Sequence, residues 1–109
     1  MASNTRYFIV ANYTQRAIAG MVAAPSDRAA AVRKLCKAVG VKFVSLDLCR
    51  GAFDIVVVIE ADSYDKVLGL KMAVMASGAV GELHVLEAMD PTAALGHAAA
   101  AAKAYTPAG

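Results

Sequence analysis

Asp54 is the residue in this 109-residue sequence whose type and position point most directly to chemistry. It follows Gly51, Ala52 and Phe53 and enters a strongly apolar, strand-like run. A carboxylate in such surroundings must accept hydrogen bonds or suffer a desolvation penalty. In the structural interpretation Asp54 accepts backbone N–H groups near a turn or pairs with Arg50. In the functional one it lies at the mouth of a pocket between sheet and helices, as a general base or an anchor for a polar ligand.

His84 lies within the fourth and last strand-like segment, where a histidine is either a hydrogen-bonded structural residue or an acid–base group. Asn12 and Tyr13 add polar groups at the end of the first such segment. If Asn12, Asp54 and His84 share the helix-side face of one sheet, they line a single cleft. Alternation assigns faces only within one strand, so this grouping is a hypothesis. We expect His97 to be solvated.

The sequence carries no signature of a bound nucleotide or metal. It has no Gly-rich phosphate loop, serine nucleophile elbow, paired metal-binding histidines or dinucleotide fingerprint. Cys36 and Cys49 show neither CxxC nor Cys/His metal spacing, which predicts two reduced thiols. We expect no metal and no cofactor, and these patterns do not require an enzyme.

The composition indicates one domain whose surface is partly covered by a partner. Hydrophobic residues make up 59% of the chain and charged residues only 18%, which leaves the surface short of charge. We expect no membrane span, because charges interrupt every apolar run, and a cytoplasmic location, because the N-terminus has no apolar signal segment. The net charge of +2, with no run of aromatic residues beside the basic residues to stack on bases, argues against nucleic-acid binding.

Four strand-like segments alternate with two main helical segments in the ferredoxin-like βαββαβ order. In this order both helices cover one face of a four-stranded antiparallel sheet, an α+β sandwich. Arg50 and Gly51 predict a tight hairpin between the second and third strands. The predicted strands are residues 7–13, 42–49, 52–60 and 82–89.

The helices are predicted from apolar residues that recur every three or four positions. Before the first main helix, residues 17–21 form a short helical stretch that Pro25 interrupts. The residues expected to begin and end the main helices are Ser26 and Gly40 for the first, and Asp62 or Ser63, then Gly78 and Gly81, for the second.

The C-terminal segment after Asp90 and Pro91 is rich in alanine and predicts a further helix over residues 92–105. Its small side chains bury little area, so we expect it to pack on a neighbouring subunit or to fray. We expect residues 106–109 to be disordered. We therefore divide the chain into a domain, residues 1–89, and a helical tail, residues 90–109.

The third strand predicts a sheet that is apolar on both faces. Ile55, Val57 and Ile59 point to one side, and Val56 and Val58 point to the other. The helices can cover only one face, and no residues are left for another layer. A second copy of the same sheet is the economical cover, so the sequence predicts a homodimer or higher homo-oligomer through the sheet face.

At the hairpin the chain resembles the GYD domain family, named for a Gly-x-Tyr-Asp motif that opens the third strand. The matching residues are Gly51-Ala52-Phe53-Asp54, and Phe53 stands where the motif has tyrosine, so the phenol's hydrogen bond is missing. The resemblance covers residues 7–89 and implies a dimeric α/β barrel of undefined activity. The candidate ligand-binding residues are Asn12, Tyr13, Phe53, Asp54 and His84.

Two classes of function follow. The first is a small oligomeric module that binds a small apolar molecule or serves assembly. The second is a cofactor-free enzyme of the oxygenase or isomerase type, acting on a small apolar substrate between sheet and helices; this rests on analogy with other dimeric α/β barrels. A third hypothesis is a regulator whose helix contacts another protein. The enzyme hypothesis requires Asp54 or His84 in a pocket, whereas the structural hypothesis requires backbone partners for them.

Overall fold

A computed structural model describes residues 4–109 and contains one four-stranded antiparallel sheet in the order β2-β3-β1-β4. This order and the antiparallel pairing confirm the predicted ferredoxin-like α+β fold. The elements are β1 (Thr5–Tyr13), α1 (Gln15–Ala23), α2 (Arg28–Val39), β2 (Lys42–Leu48), β3 (Ile55–Ala61), α3 (Tyr64–Ala76), β4 (Val80–Glu87) and α4 (Thr92–Ala104).

The central strands β1 and β3 give the sheet two apolar faces, as predicted. Ile9 pairs with Val57, and the next pair along, Val10 and Val56, points to the opposite side. Val57 is buried, whereas Val10 and Val56 are half-buried. We call the side without helices the open sheet face.

Helices α2 and α3 cover the other face and form the core with it. Cys36 of α2 and Val67 and Leu70 of α3 are buried beside the central strands. Ile59 and Val67 are both 0% exposed. Burial of each such side chain stabilises the fold by about 1.5–3 kcal/mol, so this layer is the main source of stability.

The ends of α2 follow local backbone chemistry, with one correction. Asp27, not Ser26, is the N-cap, because its Oδ1 accepts the N–H of Ala30 at 3.1 Å. An N-cap side chain accepts from the amide two or three residues ahead, and the helix begins at Arg28, directly after Asp27. Gly40 ends the helix at φ 73°, in the left-handed region that favours glycine.

The connection between β2 and β3 is longer than the predicted Arg50-Gly51 hairpin. It comprises residues 49–54, and β3 begins at Ile55 rather than at Ala52. Backbone bonds close this loop, since Cys49 N–H donates to Asp54 O at 2.7 Å and Asp54 N–H donates to Ala11 O at 3.0 Å. The predicted strand starts three residues too early, because the residue pattern does not reveal where pairing with the neighbouring strand begins.

Two glycines near the end of α3 have different roles. Gly78, at φ 75°, follows the helix as predicted. Gly81 does not end α3, because it lies in β4, where the register with β1 shifts between Asn12 and Tyr13. A glycine at such an irregularity lets the strand bend, so the prediction that placed it at a helix end was wrong.

The alanine-rich segment forms α4, and none of its residues is buried. Asp90 Oδ1 accepts the N–H of Thr92 at 3.0 Å at the start of this helix. Residues 106–109 have no regular secondary structure. Within residues 4–109, no helix has the length and apolar character needed to cross a membrane.

Truncation of Ile59 tests the importance of the helix-side core. Because Ile59 is fully buried, we expect Ile59→Ala to lower the free energy of unfolding by about 2–5 kcal/mol. Urea denaturation followed by circular dichroism measures this loss. Val22→Ala is the control, since Val22 is 78% exposed, and its change is expected to stay within about 0.5 kcal/mol. Equal losses in both variants would contradict the assignment of the core.

Candidate functional site

The five candidate residues do not form a single cleft. His84 lies on the open sheet face because it pairs with Val10, and Asn12 lies there because it is two residues after Val10 on the same strand. Phe53 joins them, with its ring centroid 5.7 Å from that of His84 in an edge-on arrangement. Tyr13 packs against the core on the helix side. The hypothesis that Asn12, Asp54 and His84 share the helix-side face is therefore wrong.

The open-face cluster, as we call it, consists of Asn12, Glu82 and His84, joined by hydrogen bonds, and of Phe53, joined by its ring contact with His84. His84 Nε2 lies 2.8 Å from Glu82 Oε1, and Asn12 Nδ2 lies 3.4 Å from Glu82 Oε2. The hydrogen bond from His84, followed by that from Asn12, lowers the pKa of the Glu82 carboxyl. Asn12 also joins the β2–β3 loop, donating to Ala52 O and accepting the N–H of Asp54.

The carboxylate of Asp54 is held by backbone rather than by Arg50. Its Oδ2 accepts the N–H of Tyr13 at 2.9 Å, at the point where β1 stops pairing with β3. This agrees with the structural interpretation of Asp54, in which a backbone donor offsets the cost of desolvation. Asp54 does not line the cavity described next.

A cavity of about 240 Å³ lies between the sheet and helices α2 and α3. Its wall is almost entirely apolar. The small side chains Ala31, Ala73 and Ala79 leave space there that the larger residues of the core do not fill. The other apolar wall residues are Ile9, Ala11, Val32, Leu35, Cys36, Ile55, Val57, Leu70, Val74, Val80 and Leu83.

Four polar side chains contribute to the cavity wall: Tyr13, Arg28, Lys71 and Ser77. Tyr13, Arg28 and Ser77 lie at one end of the sheet, because the end of β1, the start of α2 and the end of α3 meet there. Thr14 N–H donates to Ala79 O at 2.9 Å across this end. Burial raises the pKa of the Tyr13 hydroxyl, while the positive charge of Arg28 acts in the opposite direction.

Arg28 is the polar group whose bonding is incomplete. Its Nε is buried and has no hydrogen-bond partner within residues 4–109. The ion pairs in that part of the chain do not include Arg28 either. A buried donor without a partner costs about 1–3 kcal/mol, more when the group is charged.

The two cysteines are free thiols in different environments. Cys36 lies in the cavity wall and is 2% exposed, whereas Cys49 is exposed. Burial raises the pKa of the Cys36 thiol, which lowers its thiolate fraction near neutral pH. In the part of the chain that the structure describes, no group of three or more His, Cys, Asp or Glu side chains has metal-binding geometry.

The sequence did not single out Arg28, Lys71 or Glu82 as site residues. One sequence feature pointed to Arg28. A positive charge in the first turn of a helix opposes the helix dipole, so it needs another reason to be there. Lys71 and Glu82 had no comparable feature, because their positions depend on helix rotation and on strand register.

The open sheet face carries an apolar strip between two polar ends. The strip consists of Phe8, Val10, Val56 and Val58, and Leu86 extends it on β4. One end is the open-face cluster. At the other end Glu60 lies 2.8 Å from Arg6 and 3.7 Å from Lys42, and the hydrogen bond from Arg6 lowers the pKa of Glu60.

The family model of the GYD domain matches residues 7–97. The chain belongs to the GYD domain family. The match contains the motif-like residues Gly51 to Asp54 and runs past Met89 into α4. The division of the chain at residues 89 and 90 stays a prediction.

Three solved structures share the fold of this GYD domain protein at low sequence identity. FFRP-DM1 is 14% identical with a TM-score of 0.52, and the match covers 78% of this chain and 99% of that chain. MtbAldR is 11% identical with a TM-score of 0.53, covering 79% and 52%. An AsnC family transcriptional regulator from Agrobacterium tumefaciens is 10% identical with a TM-score of 0.50, covering 82% and 52%.

These similarities show a common fold alone. The matched region is about half the length of the latter two chains. No curated protein matches the sequence.

Replacement of Asp54 tests its structural role. Asp54→Ala leaves the Tyr13 N–H without its acceptor, so we expect the free energy of unfolding to fall by about 1–3 kcal/mol. Asp54→Asn keeps a side-chain oxygen and is expected to lose less. Chemical denaturation measures both. Asp47→Ala is the control, because Asp47 is an exposed strand residue; a loss as large as that of Asp54→Ala would argue against a specific role for the Asp54 bond.

Proposed function

We propose that this GYD domain protein is a small-molecule-binding module that holds a small, mainly apolar ligand in the cavity between the sheet and helices α2 and α3. We further propose that it works as a homodimer through the open sheet face. The cavity is the observation that carries the proposal.

The size and lining of the cavity support ligand binding. Protein interiors are close-packed, and gaps larger than a water molecule are few. A cavity of about 240 Å³ with apolar walls departs from that rule. It approaches the volumes of about 300–1,000 Å³ typical of small-molecule sites, and apolar walls with few polar groups are usual there.

The apolar strip supports assembly through the open face. Phe8, Val10, Val56 and Val58 are only half-buried in the single chain, although they lie on the central strands. Covering them with a second sheet removes them from water, and the charged groups at both ends would form a polar rim. Under this proposal the open-face cluster borders the dimer interface, and a ligand-binding role for Asn12, Phe53 and His84 stays a prediction.

The position of the acidic and basic candidates favours binding over the enzyme hypothesis. Neither Asp54 nor His84 lines the cavity, and Asp54 is engaged by the Tyr13 backbone. The same fold makes up about half of an AsnC family transcriptional regulator. That similarity supports a module within a regulatory protein at the level of fold only.

Filling the cavity tests the binding function. We use toluene as a neutral apolar probe and expect it to raise the Tm of the wild-type protein, because a ligand that binds only the folded state stabilises it. Toluene should also slow methanethiosulfonate labelling of Cys36 without changing that of Cys49. Ala31→Leu adds volume at the cavity wall, so both effects should be lost in this variant.

The control for this experiment is Ala38→Leu, which adds the same volume at an exposed position of α2 outside the cavity. It should respond to toluene like the wild-type protein. If toluene affects neither Tm nor Cys36 labelling in the wild-type protein, the binding proposal fails.

Introduction of a charged residue into the apolar strip tests whether the open sheet face forms a dimer. We expect the wild-type protein to sediment as a dimer or larger species, and Val58→Glu to sediment as a monomer, because the interface would bury an unpaired carboxylate. Analytical ultracentrifugation over a range of concentrations measures this difference. Met72→Glu is the control, since Met72 is 68% exposed on α3. A monomeric wild-type protein would refute the assembly while leaving the binding function to its own test.

A further inference from the structure

The charged side chains that line the cavity are all positive. Arg28 and Lys71 are cations, and Tyr13 and Ser77 carry hydroxyls, whereas no Asp or Glu of residues 4–109 is in the wall. The negative charge that acts on these groups is that of Asp54, which lies outside the wall but adds to the effect of burial in raising the pKa of the Tyr13 hydroxyl. The cavity is therefore electrostatically suited to a ligand with a negative end.

Arg28 is the group that such a ligand would satisfy. Its buried Nε has no partner in the part of the chain that the structure describes, and its position in the first turn of α2 is one where the helix dipole is unfavourable to a cation. An arginine presents its donors as a planar fork, which matches the two oxygens of a carboxylate. A bound carboxylate would both supply the missing hydrogen-bond acceptor and balance the positive charge of Arg28.

The arrangement also gives the ligand a direction. Arg28 and Tyr13 lie at the end of the sheet where β1 finishes and α2 begins. The walls away from that end are aliphatic, with Ile9, Val57 and Val74 among them. A ligand with an acidic head and an apolar body would match this gradient from charged to apolar.

We propose that the cavity selects a small carboxylate with an apolar body, bound head-first to the Arg28 guanidinium with Tyr13 beside it. This inference rests on the proposed binding function and names its ligand class. The recognition belongs to each subunit, since all the groups involved come from one chain.

Comparison of an acid with its neutral isostere tests the ligand class. Phenylacetate and phenylacetamide have the same shape, and only the former is ionised at neutral pH. By isothermal titration calorimetry we expect phenylacetate to bind the wild-type protein about 10- to 100-fold more tightly, as charge-assisted hydrogen bonds predict. Arg28→Gln should remove this preference, and Arg28→Lys should restore part of it.

Arg33→Gln is the matched control, because it removes the same charge from an exposed position of α2 outside the cavity. It should keep the preference for the acid. Toluene binding by Arg28→Gln shows that the cavity of this variant is intact. If Arg28→Gln fails to fold, the ratio of the affinities of the wild-type protein for phenylacetate and phenylacetamide decides the ligand class. Loss of the preference for the acid in Arg33→Gln would then count against a specific role for Arg28.

The outcomes separate this inference from the proposed function. If phenylacetamide binds as tightly as phenylacetate, or if Arg28→Gln keeps the preference, the carboxylate inference is wrong while the cavity remains a binding site. If phenylacetate, phenylacetamide and toluene all fail to bind, both proposals are wrong.

Discussion

The structure depends on the burial of one face of strands β1 and β3 against helices α2 and α3. Ile59 and Val67 both lie in this layer with no solvent exposure. The two strands pair with each other over seven residues, from Thr5 with Ala61 to Ala11 with Ile55. Because side chains alternate along a strand, this burial also decides what faces the other way. A register slip of one residue would exchange the two faces, so both surfaces are set by the same packing.

Adjacent residues therefore serve different surfaces. Asn12 contributes to the open-face cluster, while Tyr13, the next residue along β1, packs on the helix side and lines the cavity. Asp54 binds both residues at the end of the sheet. Its carboxylate accepts the N–H of Tyr13, and its own N–H donates to the side-chain oxygen of Asn12. The motif-like segment of the GYD domain thus has a structural role at the boundary between the two surfaces.

The cavity results from incomplete filling of the same helix-side layer. Alanines on α2 and α3 contribute to the wall beside strand residues such as Ile9 and Val57. The space they leave would weaken a purely structural core, because lost contacts are not recovered in a void. The cavity lies beside the buried Arg28 Nε, which has no hydrogen-bond partner among residues 4–109. Under the proposed function, a ligand would restore both packing contacts and hydrogen bonds there.

The sequence by itself determined the order of the elements, the two apolar faces of the sheet and the family, because these depend on short-range periodicity and on residues close together in the chain. Ile55 to Ile59 predicted the two faces correctly, and Gly40 predicted the end of α2. Only the tertiary structure decided which polar residues share a surface, since that depends on the register of β1 with β3 and β4. The cavity and the environment of Arg28 also required the tertiary structure, because both depend on how far two helices stand from a sheet, and no local pattern records that distance.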